Sequence, residues 1–235
     1  MCGRYAVECE EENIVLKEII EEINRKYAGD PLLSRMKTGE IFPTETVPVL
    51  VLEKGRIAPF LMHWGFPRPG RGAPAGVFIN ARAETAMEKP IFRLPFVSGR
   101  CVVPSTGFYE WKREEAKTEL QTSFLEPAGP SAERPGGSRT LKKKKDKYLL
   151  RTDGPMLYMA GLYNDFAGGP AFGAPGFVII TTAANESVSL IHDRMPLVLD
   201  EETAQKWLYD SEAAAEILLR PCDERLLAVK QREGR

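Results

Sequence analysis

The chain of 235 residues has few imidazoles and few thiols: two histidines, His63 and His192, and four cysteines, Cys2, Cys9, Cys101 and Cys222. The cysteines are scattered and no CxxC occurs, so the usual structural zinc patterns cannot be completed, and no metal or other cofactor is expected. Four scattered cysteines in a chain this long do not amount to a disulfide scaffold. No run of 18 apolar residues is present. The N-terminus turns acidic at once (Glu8, Glu10, Glu11, Glu12), where a secretory signal would be basic and then apolar. The expectation is a reducing, cytoplasmic setting away from membranes, in which Cys2 stays a thiol. The net charge of −1 excludes a global basic field. Any contact with nucleic acid must come from a local patch.

The 43% of apolar and 28% of charged residues are ordinary for a globular chain. The length suffices for a sizeable core. Apolar periodicity predicts a helix over residues 10–27, with Val15, Ile19, Ile20, Ile23 and Tyr27 on one face and Glu10 to Glu12 in its first turn. Strands are predicted over 46–52, 57–64, 76–80, 98–103 and 107–113, and Pro48 marks the first of these as an edge. Residues 82–87 suit a helical turn. Asp153-Gly154 reads as a hairpin turn between strands 148–152 and 156–163. Strands over 177–182, 195–199 and 226–230, a short helix over 183–191 and helices over 201–209 and 211–219 complete the set. Many short strands with few long helices make an α+β chain with a mixed, mostly antiparallel β core. Residues 114–146, rich in proline, glycine and lysine, read as a mobile solvated insertion, and Lys142 to Lys145 as a solubilising run or a phosphate contact. One domain over residues 2–235 is expected, as a monomer.

Chemistry concentrates in five places. Removal of Met1 would leave Cys2 with an α-amine and a thiol on one carbon framework. The thiolate is a strong nucleophile. The amine, with a pKa of roughly 7.7–8, is partly uncharged near neutrality. An aldehyde can form an imine with that amine and then close through sulfur into a thiazolidine. Otherwise Cys2 is simply the second residue of a loose end. Asn80 follows an apolar strand and is a site residue or a helix cap. Glu110 lies among aromatics in Gly107-Phe108-Tyr109-Glu110-Trp111. Strand alternation favours the wet face for it, while burial would raise its pKa. His192 precedes Asp193-Arg194-Met195-Pro196 and is structural or catalytic. The fifth place is Met62-His63-Trp64-Gly65-Phe66, where the aromatics are core or exposed.

Met1-Cys2-Gly3-Arg4-Tyr5, Trp64-Gly65, residues 79–85 (Ile-Asn-Ala-Arg-Ala-Glu-Thr), Arg100-Cys101-Val102-Val103-Pro104, Gly107-Phe108-Tyr109-Glu110-Trp111 and His192-Asp193-Arg194-Met195-Pro196 together resemble, in order, the motifs of the SRAP (SOS response-associated peptidase) family. The resemblance runs from Cys2 to about Leu199 around the insertion. It implies a barrel-like β core with peripheral helices. It also implies binding of single-stranded DNA at abasic sites, a thiazolidine crosslink through Cys2, and autoproteolytic exposure of that cysteine. By motif, Cys2 is the nucleophile, with Asn80, Glu110 and His192 beside it. Arg4 and Arg82 would bind phosphates. Trp64, Phe66 and Pro43 would support or wedge bases, unless Trp64 is core. His63 stands where the pattern has an arginine, which predicts a weaker or pH-dependent phosphate contact. Two other readings stay open: a thiol peptidase acting on peptides, and a non-covalent single-strand binder.

Overall fold

Among the strands of the chain, five close on themselves. The computed structural model describes residues 2–9, 11–68, 76–112, 145–166 and 173–231. In chain order the strands are β1 (Tyr5–Val7), β2 (Gly39–Ile41), β3 (Thr46–Glu53), β4 (Arg56–Trp64), β5 (Phe66–Pro67), β6 (Val77–Phe78), β7 (Asn80–Arg82), β8 (Arg100–Ser105) and β9 (Gly107–Trp111). They continue as β10 (Lys147–Arg151), β11 (Leu157–Asn164), β12 (Gly176–Ala183), β13 (Arg194–Pro196), β14 (Val198–Leu199) and β15 (Leu227–Lys230). The helices are α1 (Ile14–Lys26), α2 (Pro90–Ser98), α3 (Glu186–Ser189), α4 (Glu201–Tyr209) and α5 (Ser211–Leu219). The ring runs β12-β4-β3-β8-β11 and returns to β12 through the Gly161↔Ile179 register. Closure leaves no raw edge on those strands. β13, β14 and β7 attach outside it, and among the described strands only β12–β4 and β12–β7 pair in parallel, beside an isolated parallel bridge from Met36 to Thr46.

A second sheet, β15-β10-β9-β1-β2, lies against this barrel. Its inner face carries Tyr5, Ile41, Phe108 and Leu150, all fully buried. Tyr5 meets the β4 residue Trp64 edge-to-face at 5.0 Å between ring centroids. The α+β, mostly antiparallel and barrel-like expectation therefore holds.

Several local expectations change. Asp153-Gly154 does not close a hairpin: β10 pairs with β9 and β15, whereas β11 pairs with β8, β12 and β14. The turn carries the chain from one sheet to the other, and tertiary pairing overrides the local signal. Pro48 is not on an edge strand, because β3 lies between β4 and β8. Its pairing with β8 is confined to Leu50 and Val51, so the proline nitrogen falls outside that ladder. Helix α1 starts at Ile14, because the Asn13 side chain caps it by accepting from Leu16 N at 3.1 Å; Glu11 and Glu12 stay outside. Strands β1, β2 and β5 and helix α2 were not foreseen. β1 and β2 have three residues each, too few to show a period, and α2 begins on Pro90 and contains Pro95. The insertion of residues 114–146, including Lys142 to Lys144, lies almost wholly outside the described residues, as do residues 69–75.

Candidate active site

The N-terminal segment is held as firmly as the core. β1 is hydrogen-bonded on both sides, with Tyr5 opposite Ile41 of β2 and opposite Phe108 of β9. That pairing draws Cys2 out of solvent, and its exposure is 0%. The loose-end reading of Cys2 is thereby set aside. Asn80 Nδ2 donates to the Cys2 carbonyl at 2.8 Å, and Cys2 Sγ approaches Arg4 O at 3.6 Å. Asn80 stands there because β7 runs parallel to β12, with Asn80 opposite Ile179. It caps no helix; the turn after β7 starts beyond Arg82. Among the described residues, the buried Asn80 Oδ1 has no hydrogen-bond partner, which leaves an acceptor aimed into the site. Burial raises the Cys2 thiol well above its ordinary range, and the nearby Glu110 carboxylate adds to the rise.

Strand parity decides Glu110. Residues Phe108 and Glu110 share the inner face of β9, and Tyr109 and Trp111 share the outer one. Glu110 is 3% exposed, so the wet-face reading is overturned. Burial raises its carboxyl above the usual range, and His192 opposes the shift. His192 comes from the turn after α3, tied by its own N–H to Val188 O at 3.0 Å, and its Nε2 lies 4.0 Å from Glu110 Oε2. Nδ1 accepts from Arg194 N–H at 3.0 Å and is also 2.9 Å from Asp193 Oδ1. A neutral ring accepts from Arg194 and carries its proton on Nε2, facing Glu110; a charged ring donates from Nδ1 to Asp193.

Two further residues hold this arrangement. The Arg194 guanidinium grips both carboxylate oxygens of Glu84 and donates to Thr181 O at 2.6 Å. The hydrogen bonds from Arg194 hold the Glu84 carboxyl below its usual range. This fork joins the turn after Asn80 to β12 and to the His192 turn, and so fixes Asn80 relative to His192. Reading the sequence gave neither residue a role. The only signal was that both lie inside the two polar motifs.

The candidates for DNA contact separate by exposure. Arg82 is exposed at the end of β7. Arg4 is part-exposed on the outer face of the second sheet, its guanidinium 4.4 Å from the Phe42 ring centroid and 5.0 Å from that of Trp111. Pro43 is half-buried between the exposed Phe42 and Thr44. Trp64 and Phe66, by contrast, are fully buried. Trp64 donates from Nε1 to Ile79 O at 3.0 Å and stacks on Phe177, and Phe66 packs edge-on against Phe166 at 4.9 Å. Neither offers a ring to a base, which corrects both expectations in favour of core packing.

The match to known families covers residues 1–232 and is to "SOS response associated peptidase (SRAP)". The chain belongs to the SRAP family. It is similar to the abasic site processing protein YoqW of Bacillus subtilis, 30% identical over 213 residues, which cover 88% of this chain and 80% of that protein. It also resembles the abasic site processing protein HMCES of Mus musculus, 34% identical over 60% of this chain and 40% of that protein. Among solved structures, a protein from Bacteroides thetaiotaomicron superposes with a TM-score of 0.68 at 23% identity, over 99% of this chain and 93% of that one. A phage-related protein from Bordetella bronchiseptica gives 0.65 at 26% identity, over 99% and 95%.

In this SRAP chain His63 is 2% exposed, and burial pushes its pKa down to about 4, with Arg35 adding to the effect. A neutral buried imidazole cannot serve as a phosphate contact, so that expectation is corrected. The shift has a consequence for stability. Between pH 4 and 6.5 the unfolded chain binds a proton at His63 that the folded chain refuses. Stability is therefore complete above pH 6.5 and falls as the pH drops towards 4. The expected loss from this group is on the order of 3 kcal/mol. Urea unfolding at pH 7 and pH 4.5 checks it: the wild type should lose more than His63→Gln over this interval, and equal losses would remove His63 as the cause.

Proposed function

We propose that this SRAP chain processes abasic sites in single-stranded DNA by covalent capture at Cys2. The observation that carries the reading is that Asn80 and Glu110 meet at the second residue and His192 lies against Glu110. Asn80 holds the Cys2 carbonyl, and the buried Glu110 faces His192 beside it. The naming of the relatives YoqW and HMCES as abasic site processing proteins supports the same substrate.

The chemistry requires a free amine. In the proposal Met1 is released through the Cys2 thiol: sulfur takes the acyl group of Met1, freeing the amine, and water then cleaves the thioester. An abasic sugar is mostly a closed hemiacetal and must open to its aldehyde. His192, with a proton to give or take at Nε2, serves the ring oxygen. The amine attacks the aldehyde carbon, and Glu110 takes the excess proton from nitrogen. The same carboxyl returns a proton as hydroxide leaves the carbinolamine as water, and its raised pKa suits it to both directions. The thiol, kept protonated by burial, then adds to the imine carbon and its proton ends on the ring nitrogen. One water is lost and no oxidant is needed. Asn80 Oδ1 accepts from the Cys2 amine or a sugar hydroxyl, while Arg4 and Arg82 take flanking phosphates.

The test is a denaturing gel of the protein, its N-terminus confirmed as Cys2 by mass spectrometry, with a single strand carrying one abasic site. The same strand, reduced beforehand with borohydride, serves as the control. A shifted band is expected only with the aldehyde; no band with either strand refutes the proposal. On the same gel Glu110→Gln should slow the appearance of the band by about 100-fold while single-strand affinity stays unchanged. An unaltered rate would take Glu110 out of the mechanism.

A further inference from the structure

The outer face of the second sheet carries a charge arrangement from which the proposed capture draws only Arg4. Ala6 lies opposite Glu40, and Lys147 lies opposite Trp111. Arg4, Glu40, Tyr109, Trp111 and Lys147 therefore share the face turned away from the barrel. One oxygen, Glu40 Oε1, is 3.1 Å from Arg4 Nη1 and 2.7 Å from Lys147 Nζ. The two cations are also braced on aromatic rings, Arg4 between Phe42 and Trp111, and Lys147 over Tyr109 at 3.9 Å. The side chains of Arg4, Glu40 and Lys147 are 36%, 30% and 25% exposed, so water and ions reach all three.

A single anionic oxygen bridging a guanidinium and an ammonium is what a non-bridging phosphodiester oxygen does. We propose that Arg4 and Lys147 form a two-cation phosphate site, and that Glu40 occupies it in the free protein as a stand-in for the phosphate. This rests on the single-strand reading above and extends it with Lys147 as a DNA contact and Glu40 as a competitor. The aromatic braces keep both cations in place when the carboxylate leaves. Exposed ion pairs contribute little, so a phosphate can displace the carboxylate. The exchange makes binding to any strand weaker than two free cations would give. Retention then depends more on capture at Cys2 than on charge.

The test is the affinity of a dye-labelled, undamaged single strand, followed by fluorescence anisotropy across a salt series. Glu40→Gln should bind about 3- to 10-fold more tightly at low salt. Lys147→Gln should bind more weakly, and its plot of log K against log salt should be shallower by about 0.7, the change for one phosphate contact on a single strand. Adding Lys147→Gln to Glu40→Gln should remove most of the gain. Glu53→Gln removes the same charge from the pair with Lys26 and should leave affinity unchanged. Thermal melts confirm that each variant is folded. Equal or weaker binding by Glu40→Gln overturns the proposal, as does an equal gain from Glu53→Gln. If the wild type binds and Arg4→Gln weakens it while Glu40→Gln gains nothing, this inference alone fails. If the wild type binds no single strand at all, the proposed function fails with it.

Discussion

Cys2→Ala is expected to abolish the heat-stable DNA adduct, reducing the shifted band by more than about 100-fold, the scale for loss of a covalent nucleophile. The variant keeps an α-amine at the same position once Met1 is removed, so an imine with the abasic aldehyde can still form. Without sulfur the imine cannot close into a five-membered ring, and water returns it to amine and aldehyde. Borohydride added during the reaction should therefore trap a band with Cys2→Ala as a reduced secondary amine. Without the reductant no band should persist. This pair of lanes separates the two halves of the proposed reaction. A stable band from Cys2→Ala without reductant would show that sulfur is not in the adduct. A trapped band from neither protein would move the chemistry away from the terminal amine. Single-strand affinity before reaction should hardly change, because Arg4, Arg82 and Lys147 are untouched. The variant must first be shown to begin at residue 2: if the thiol removes Met1 as proposed, Cys2→Ala retains Met1 unless another peptidase trims it.

Trp64→Ala is expected to cost about 3–5 kcal/mol of folding stability, the range for deleting a large buried aromatic. The side chain is fully buried, with Tyr5 edge-on at 5.0 Å and Phe177 stacked at 6.4 Å. Its Nε1–H meets Ile79 O, so truncation also removes one of the two hydrogen bonds to that carbonyl, which keeps its bond from Ile179 N–H. The ring sits where the second sheet meets the barrel, so the cavity would open beneath β1, the strand that positions Cys2. A loss this large is a considerable part of the total for a domain. Urea unfolding at 25 °C measures it, with Trp64→Phe expected to lose much less because most of the apolar contact survives. A loss below about 1 kcal/mol, accompanied by a fall in single-strand affinity, would return Trp64 to the role of a base platform.

Local chemistry was legible from order and spacing. Apolar periods at residues 201–209 and 211–219 coincide with α4 and α5, and those of β3, β4 and β12 fall within about a residue of the observed strands. The six motifs in order named the family, which the match over residues 1–232 establishes. A cysteine at position 2, an asparagine after a strand and a histidine before a charged pair are residue types with few alternative uses in combination. Their chemistry follows from amine, thiol and imidazole properties that do not depend on the fold.

What the linear chain by itself determined was thus most of the element types and the family. Which face each residue took was decided only by the tertiary structure. A strand of five residues such as β9 shows its alternation equally well in either sense, and only the packing of the second sheet on the barrel turned Glu110 inward and Trp111 outward. The same packing buried Trp64, Phe66 and His63, which a list of aromatic and cationic residues offers equally to solvent. Chain pairing over long separations, Tyr5 with Phe108 and Asn80 with Ile179, brought Cys2, Asn80, Glu110 and His192 together. It also placed Glu40 between Arg4 and Lys147. Such pairings depend on how distant segments bury their apolar faces together, and no local period records which partner a strand will find.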